Sequence, residues 1–380
     1  MTSGDKQLVA EVVAGDAERL ITLSELLHAH PETAWEEHRA SRWVAEALEE
    51  SGFAITPAYL GLETAFHATY GSGPFRVGLC AEYDALPGLG HACGHNLIAA
   101  ISVGAGRALA RVADTLGLTI EVYGTPAEEG GGGKIEMLER GAFAGLDIAM
   151  MAHPAPVDVA EAEPFAVSHS HVEYRGKASH AAAYPEQGVN AADAFTIAQV
   201  AVGLLRQQLP PTVRVHGVMT NGGEAPNAIP ARTEGRWYVR AETLAQLAET
   251  EERVWRCFEA GALATGCELR IEAESKPYAE LRADEAALGA YRANAEALGR
   301  VFDPGTPARR MNRASTDMGN VSQVVPAIHP YVGIGSSPAL NHQPEFAAHC
   351  VGPDAERALL DAATALAWTA VDLSSRGHVR

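Results

Sequence analysis

The sequence predicts an α/β domain, a mostly parallel sheet flanked by helices, interrupted by an inserted α+β domain of ferredoxin-like order. Three observations predict it. A chain of 380 residues exceeds what one hydrophobic core usually holds, so two domains are expected. Short β-rich runs alternate with helical ones as far as Met151, the pattern of parallel strands covered on both faces. From Val167 the texture changes to period-two alternation, then strand, helix, two strands, helix, strand. The expected division is 1–166 with 276–380 for the first domain and 167–275 for the insert.

Val9, Val12, Val13, Leu20 and Leu27 fall near helical spacing and predict a helix from Lys6 to His28; a second runs from Glu36 to Glu50, stopped by Ser51-Gly52. Ala65 to Tyr70 and Phe75 to Cys80 read as strands. Asn96 to Val112 (NLIAAISVGAGRALARV) is small and apolar on most sides, the mark of a buried helix. Leu118 to Tyr123 and Asp147 to Met151 are further strands, with a helix from Lys134 to Arg140 between them. In the insert, Val167 to Tyr174 alternates as a half-buried strand, followed by a helix over Gly188 to Gln208 and strands at Thr212 to Thr220 and Ala231 to Arg240. A helix near Leu244 to Gly261 and a strand at Glu268 to Ala273 complete it. The chain then returns to the first domain, with a strand-like PYVGIG at Pro330 to Gly335 and a helix from Asp354 to Val371. There are no repeats and no low-complexity tract.

Composition narrows the function. Hydrophobic residues make up 47% and charged residues 20% of the chain, which is ordinary globular material, but the formal net charge is -19. A field of that sign repels phosphate backbones and anionic lipid, so neither nucleic acid nor a membrane is an expected partner. It also opposes the approach of a carboxylated ligand, which would have to be held by local cations. No stretch has the apolar length to span a bilayer, and the N-terminal residues lack a basic segment followed by an apolar block. The five cysteines are scattered, the usage of a reducing compartment. A soluble, cytoplasmic chain is therefore expected.

Four segments carry metal-type side chains just after a predicted strand. Glu82, Asp84, His91, Cys93 and His95 follow FRVGLC; Glu128 and Glu129 follow LTIEVYG; His153 follows DIAMM; His342 follows PYVGIG. Ligands gather beyond the carboxyl ends of strands in open α/β sheets, so all four would converge on one crevice. Taken alone, Cys93 and His95 read equally as a buried thiol and a core histidine. Gly94 between them and the loop signals Pro87, Gly88 and Gly90 shift the balance toward ligands, because buried polar groups in a loop are costly unless they bind something. A bare Glu-Glu pair is usually a solvated acidic loop. Here Pro126 precedes Glu128 and Glu129, and Gly130 to Gly133 follow, which suits close approach of backbone to a ligand. One of two such carboxylates can coordinate a cation while the other takes a proton from water. GGGGK is not a phosphate loop, since Ile135 follows Lys134 and the first glycine is missing. Asp84 reads either as a carboxylate orienting a ligand or as a turn former.

These segments together resemble the dinuclear metallopeptidase family of aminoacylases, carboxypeptidase G and the indole-acetyl-amino-acid hydrolases. Within it they are most similar to the amidohydrolase branch with p-aminobenzoyl-glutamate hydrolase and related dipeptidases. The resemblance runs nearly end to end, through HPETAWEEH (from His30), AEYDALPGLGHACGHN (from Ala81), GTPAEEGGGGK (from Gly124), MAHP, GKASHAAAYPEQGVNA (from Gly176), NAIPARTEGRWYVRA (from Asn227) and STDMGNVS (from Ser315). It implies a metal-dependent hydrolase of small N-acyl amino acids or dipeptides holding two divalent ions. Cys93 would be shared by both, His95 and His153 completing one site and Glu129 and His342 the other. Glu128 would be the general base toward a water bridging the ions, and Asp84 the orienting carboxylate. His180 would steady the oxyanion across a homodimer formed by the insert, which would serve as lid and dimerisation domain. Asn227 and Arg240 would hold the substrate's free carboxylate. A thiolate with imidazoles favours zinc, and the carboxylates also suit manganese. Two departures from the family pattern stand out: Asn96 replaces an aspartate, removing one possible charge from the crevice, and Ser315-Thr316-Asp317 stands where many relatives carry Glu-Asp. An N-carbamoyl or ureido amidohydrolase on the same scaffold and a non-catalytic binding relative are the alternative readings.

Overall fold

The computed structural model describes residues 2–303, 305 and 313–375, and these divide into two compact units, 1–164 with 281–380 and 165–280. The first unit contains α1 (Thr2–Gly15), α2 (Ala17–Ala29), α3 (His38–Glu49), β1 (Ala54–Pro57), β2 (Phe66–Gly71), β3 (Phe75–Glu82), α4 (His95–Ala110), α5 (Ala113–Leu116), β4 (Leu118–Thr125), α6 (Gly133–Glu139), β5 (Ile148–Met150) and β6 (His153–Ala155). The second holds β7 (Ala166–Arg175), α7 (Ala191–Leu205), β8 (Arg214–Asn221), β9 (Arg232–Ala241), α8 (Leu244–Thr265) and β10 (Glu268–Ala273). The first unit then resumes with α9 (Glu285–Ala297), α10 (Met318–Ser322), β11 (Ala327–Ile328), β12 (Tyr331–Gly333), α11 (Pro344–His349) and α12 (Pro353–Ser375).

The main sheet of the first unit has the order β1-β2-β4-β3-β5-β11. Strands β4, β3, β5 and β11 run parallel, whereas β2 pairs antiparallel with both β4 and β1. The sheet is thus mixed but mostly parallel, with β2 alone running against the other five strands. The cause is local: β1 to β2 and β2 to β3 are each joined without a crossover helix, the latter by residues 72–74 alone, and a short connection can only return the chain antiparallel. A separate parallel pair, β6 with β12, carries His153 opposite Tyr331.

Helix α4 is buried along its whole length, as its small apolar sequence implies. Gly104 makes this possible on one side: a Cβ there would lie 2.8 Å from Leu20 of α2 and 3.1 Å from Ala363 of α12. Helices α2 and α12 therefore close directly onto α4, and α4 lies on the sheet, in one continuous core with Val77, Leu79, Ile120 and Val122. The predicted helix from Lys6 to His28 is two helices. Asp16 breaks it, and its carboxylate takes two hydrogen bonds from Arg107 of α4, at 2.7 and 3.0 Å. On the opposite face of the sheet, Tyr123, Met137, Phe143, Met151, Met318 and Val321 form a second core.

The second unit is a fully antiparallel sheet of order β10-β7-β9-β8. Its two helices cover one face, where Tyr174, Phe195, Trp237 and Phe258 interlock and the Tyr174 hydroxyl donates to the Phe258 carbonyl at 2.6 Å. The alternate positions of β7 and β9, among them His169, His171, Arg236, Tyr238 and Arg240, line the polar face. No helix among the described residues is long and apolar enough to cross a membrane.

Candidate metal centre

The parallel strands deliver the chemistry. Beyond the end of β3 come Asp84, Cys93 and His95; beyond β4, Glu128 and Glu129; His153 opens β6; and His342 follows β12. Each segment is held in place by specific bonds. Gly94 sits at φ +84°, and a Cβ on it would come within 2.8 Å of the Pro154 ring, so only glycine lets the Cys93–His95 turn lie against the His153 segment. His342 itself takes φ +69°, and its N–H is fastened to the Ala92 carbonyl at 2.8 Å. A non-glycine residue in that region is strained and persists only where its surroundings hold it.

Among the described residues the donor atoms of Cys93, His95 and His153 lie within 4.8 Å of one another, as do those of Cys93, Glu129 and His342. Cys93 Sγ is 3.5 Å from Nε2 of both His153 and His342. A tetrahedral ion with bonds of about 2.3 Å to sulfur and about 2.0 Å to nitrogen would hold those two atoms roughly 3.5 Å apart. His342 Nε2 and Glu129 Oε1 are likewise 3.5 Å apart. His95 Nε2 and Glu129 Oε1 are buried without a hydrogen-bond partner, and they face each other at 3.8 Å. Orphaned donors at such spacings, drawn from thiol, imidazole and carboxylate, fit divalent ions.

The far sides of these rings are fixed. His153 Nδ1 bonds the Pro154 carbonyl at 2.8 Å, which turns Nε2 toward Cys93. Asp84 uses both oxygens: Oδ1 meets His95 Nδ1 at 2.9 Å and Oδ2 accepts the Glu129 N–H at 2.9 Å. It is a carboxylate bonded to two neighbours at once, as an orienting carboxylate would be. Asn341 donates to the Pro154 carbonyl at 3.1 Å and approaches Cys93 Sγ at 3.9 Å.

Electrostatics favours cations here. Burial and the Glu129 charge oppose ionisation of Cys93, yet His153 and His342 bring the thiol down to about 6. Hydrogen bonds to Cys93 and Glu129 push His342 up to about 11. Burial works against a charged His95, but Asp84 outweighs it and raises the ring well above its ordinary value. Protons are thus held where an ion would otherwise balance the anions. Glu128 differs: burial first, then Glu82, Glu129 and Asp317, raise its proton affinity.

Beneath Glu128 lies a cluster that the sequence alone does not single out. Lys134, fully buried, contacts Glu82 Oε1 at 2.5 Å and Asp317 Oδ1 at 2.6 Å. His329, also buried, lies tilted against His153 with ring centroids 5.4 Å apart and both ring nitrogens without a hydrogen-bond partner. His91 belongs to none of the donor sets and stacks on His28 at 6.3 Å. Asn96 points away from the crevice, its amide donating to Ser24 and to the Cys350 carbonyl, so the expected loss of a crevice charge does not arise. Its neighbour His95 reaches the centre while Asn96 faces the core because adjacent helical positions diverge.

Glu37 is the least legible contributor. It is fully buried in the HPETAWEEH stretch and accepts the Ala127 N–H at 2.8 Å, holding the residue before Glu128 at φ +56°. Burial, then the Asp84 charge, raises its carboxyl to about 7. Its folded value lies above the unfolded one, so the native state binds the extra proton at low pH and loses that advantage as pH rises through 7. Glu37→Gln keeps the acceptor oxygen and abolishes the titration. Melting at pH 5.5 and pH 8 is expected to show the wild type losing on the order of 2 kcal/mol that the variant does not lose. Parallel pH profiles for both proteins would contradict this.

In the second unit, the exposed His180 accepts the Ala182 and Ala183 N–H groups on Nδ1 at 3.3 and 3.1 Å. Its Nε2 therefore carries the proton and is available as a donor. Asn227 lies beside it, its carbonyl accepting the Ala181 N–H at 3.0 Å. Arg240 stands elsewhere, on the polar face of β9, with Nε 3.4 Å from His216 Nε2.

Comparison with known proteins gives a consistent picture. Residues 78–367 match peptidase family M20/M25/M40. The Xaa-Arg dipeptidase of Mus musculus is 42% identical over 97% of this chain and 88% of its own length. A p-aminobenzoyl-glutamate hydrolase chain of Escherichia coli is 31% identical over 68% of this chain and 58% of its own. Among solved structures, a dinuclear metal binding peptidase from the M20 family of Bacillus subtilis superposes with a TM-score of 0.70 at 22% identity, covering 95% of this chain and 99% of that one.

Proposed function

Because the chain belongs to peptidase family M20/M25/M40 and is a hydrolase of that family, we propose that it cleaves the amide bond of a small dipeptide or N-acyl amino acid with two divalent ions. The observation that carries the reading is the meeting of Cys93, His95, His153, Glu129 and His342 around one thiol, with Glu128 beside them. Cys93, His95 and His153 would hold one ion, and Cys93, Glu129 and His342 the other. The donor set favours zinc and tolerates manganese. When bound, such ions polarise the scissile carbonyl and lower the pKa of a water toward about 7. Glu128 takes the proton of the attacking water and returns it to the leaving amine. Asp84 keeps His95 and the Glu129 backbone aligned, and the Nε2–H of His180 donates to the developing oxyanion. Asn227, beside His180, and Arg240, apart from both on β9, would reach the free carboxylate from different chains of the dimer.

Within that class we favour a dipeptide ending in a basic residue. The likeness to the Xaa-Arg dipeptidase supports it, and so does the net charge of -19, which draws cationic substrates in. The test is amine release from Xaa-Arg, Xaa-Lys and Xaa-Glu dipeptides, N-acetyl amino acids and p-aminobenzoyl-glutamate, each with zinc or manganese. The expected order has Xaa-Arg or Xaa-Lys ahead of Xaa-Glu by at least about 10-fold in kcat/KM, the discrimination of one well-placed charge. Ammonia release from N-carbamoyl substrates in their place would move the chain to the ureido class, and inert substrates throughout to a binding role.

The second unit is proposed as lid and dimerisation domain, pairing with a second copy through the β8 edge or α7. Exposed Val218 on β8 and Val200 and Leu204 on α7 support this. On this reading His180 serves the partner's site. Chains carrying His180→Ala and Glu128→Ala, each inactive alone, are then expected to regain up to about a quarter of wild-type activity when mixed and exchanged, the share of sites made intact by random pairing. No recovery in exchanged dimers would place His180 in its own chain's site or outside the chemistry.

A further inference from the structure

The buried ammonium under Glu128 has no part in the reaction as described, yet two carboxylates grip it at once. Glu82, Glu128 and Asp317 bring carboxylate oxygens within 4.8 Å of one another, all three buried. Three carboxylates removed from water cannot all stay ionised together without a positive charge among them. Lys134 supplies it, with Nζ at 2.5 Å from Glu82 and 2.6 Å from Asp317, while its own N–H donates to the other Asp317 oxygen at 2.9 Å. Glu82 Oε2 has no hydrogen-bond partner and lies 3.5 Å from His95 Nε2. The cage therefore opens toward the candidate metal centre. Lys134 also stands five positions after Glu129 in the first turn of α6, so it pins the far end of the loop that carries Glu128.

We infer that Lys134 is a positioning residue that plugs a third carboxylate cage, so that the centre takes two ions and Glu128 stays out of metal coordination. The inference rests on the two-ion reading above. A compact ammonium on a long stem satisfies two carboxylates without drawing in the third as a ligand. A divalent ion in the same cage would take oxygens from all three carboxylates, and Glu128 would lose the lone pair with which it accepts a proton.

The experiment counts bound manganese per chain by elemental analysis after equilibration at a fixed free manganese concentration. It compares the wild type, Lys134→Met and the charge-compensated Lys134→Met/Asp317→Asn. Lys134→Met is expected to hold one ion more than the wild type and to lose kcat by at least about 10²-fold, the scale of a lost general base, with KM little changed. The double variant is expected to return to the wild-type ion count. Should Lys134→Met fold only with metal, its melting temperature is expected to climb with manganese more steeply than that of the wild type. An unchanged ion count in Lys134→Met, or failure to fold at every manganese concentration while the double variant folds, overturns the inference. The wild-type count tests the two-ion reading separately, because the signal here is the difference between variant and wild type.

Discussion

Glu128→Gln is expected to lower kcat by at least about 10²-fold, the scale of general-base catalysis, while both ions stay bound. The two ligand sets built on Cys93 do not include Glu128, so its loss should leave them standing. Glu128 Oε2 lies 3.9 Å from His95 Nε2, at the edge of the donor cluster. Burial and three neighbouring carboxylates raise its proton affinity, which is what a group that must capture a proton from water requires. Glutamine preserves shape and packing but cannot accept and return that proton, so the fall belongs in kcat, with KM and metal content near wild type. Glu128→Ala is expected to behave alike. Steady-state kinetics with elemental analysis on the same samples reads both quantities. Activity within about 10-fold of wild type in Glu128→Gln, below the range of general-base contributions, would remove the residue from the proton path.

How far such a site can be read from the chain depends on how local its causes are. Cys93, Gly94 and His95 announce themselves because the glycine that permits the turn stands between the two ligands, and the loop follows its strand directly. Glu128 and Glu129 are legible for the same reason. Long-range partners are not. Lys134 and Asp317 are 183 positions apart, and Glu37 and Ala127 are 90 apart. In the sequence Lys134, Asp317 and Glu37 read as ordinary charged residues, and only the fold turns them inward. The secondary structure follows the same division. Strands β3, β4 and β7 are long enough to show a pattern, while β6 and β11, with three and two residues, have no periodicity to read. The reversal of β2 is not fixed by its composition: FHATYG alternates between buried and half-buried positions, and its direction depends on the connection to the next strand. The helix break at Asp16 is hidden because Arg107, its partner, lies 91 residues away.

Replacing Cys93 should do the widest damage. Its sulfur belongs to both donor sets, whereas His342 and Glu129 belong to one of these and His153 to the other. Cys93→Ala is therefore expected to weaken both ions by more than the 10- to 100-fold that loss of an outer hydrogen-bond partner costs, and to leave chains with neither ion after gel filtration. His342→Ala is expected to keep one. The thiol is held near 6 by His153 and His342, so it meets an ion as thiolate with little proton to displace at neutral pH. Activity should fall to background in Cys93→Ala, and added metal should not restore it at concentrations that suffice for His342→Ala. Stability should follow, because an ion present at a thousand times its Kd contributes about 4 kcal/mol to the folded state, and the variant forfeits this for each ion. Metal counts and melting curves recorded with and without chelator separate the two variants. The wild type should lose melting temperature on chelation and Cys93→Ala should not. If Cys93→Ala instead retains two ions, the thiol is not shared between them, and the arrangement proposed for the centre is wrong at its middle.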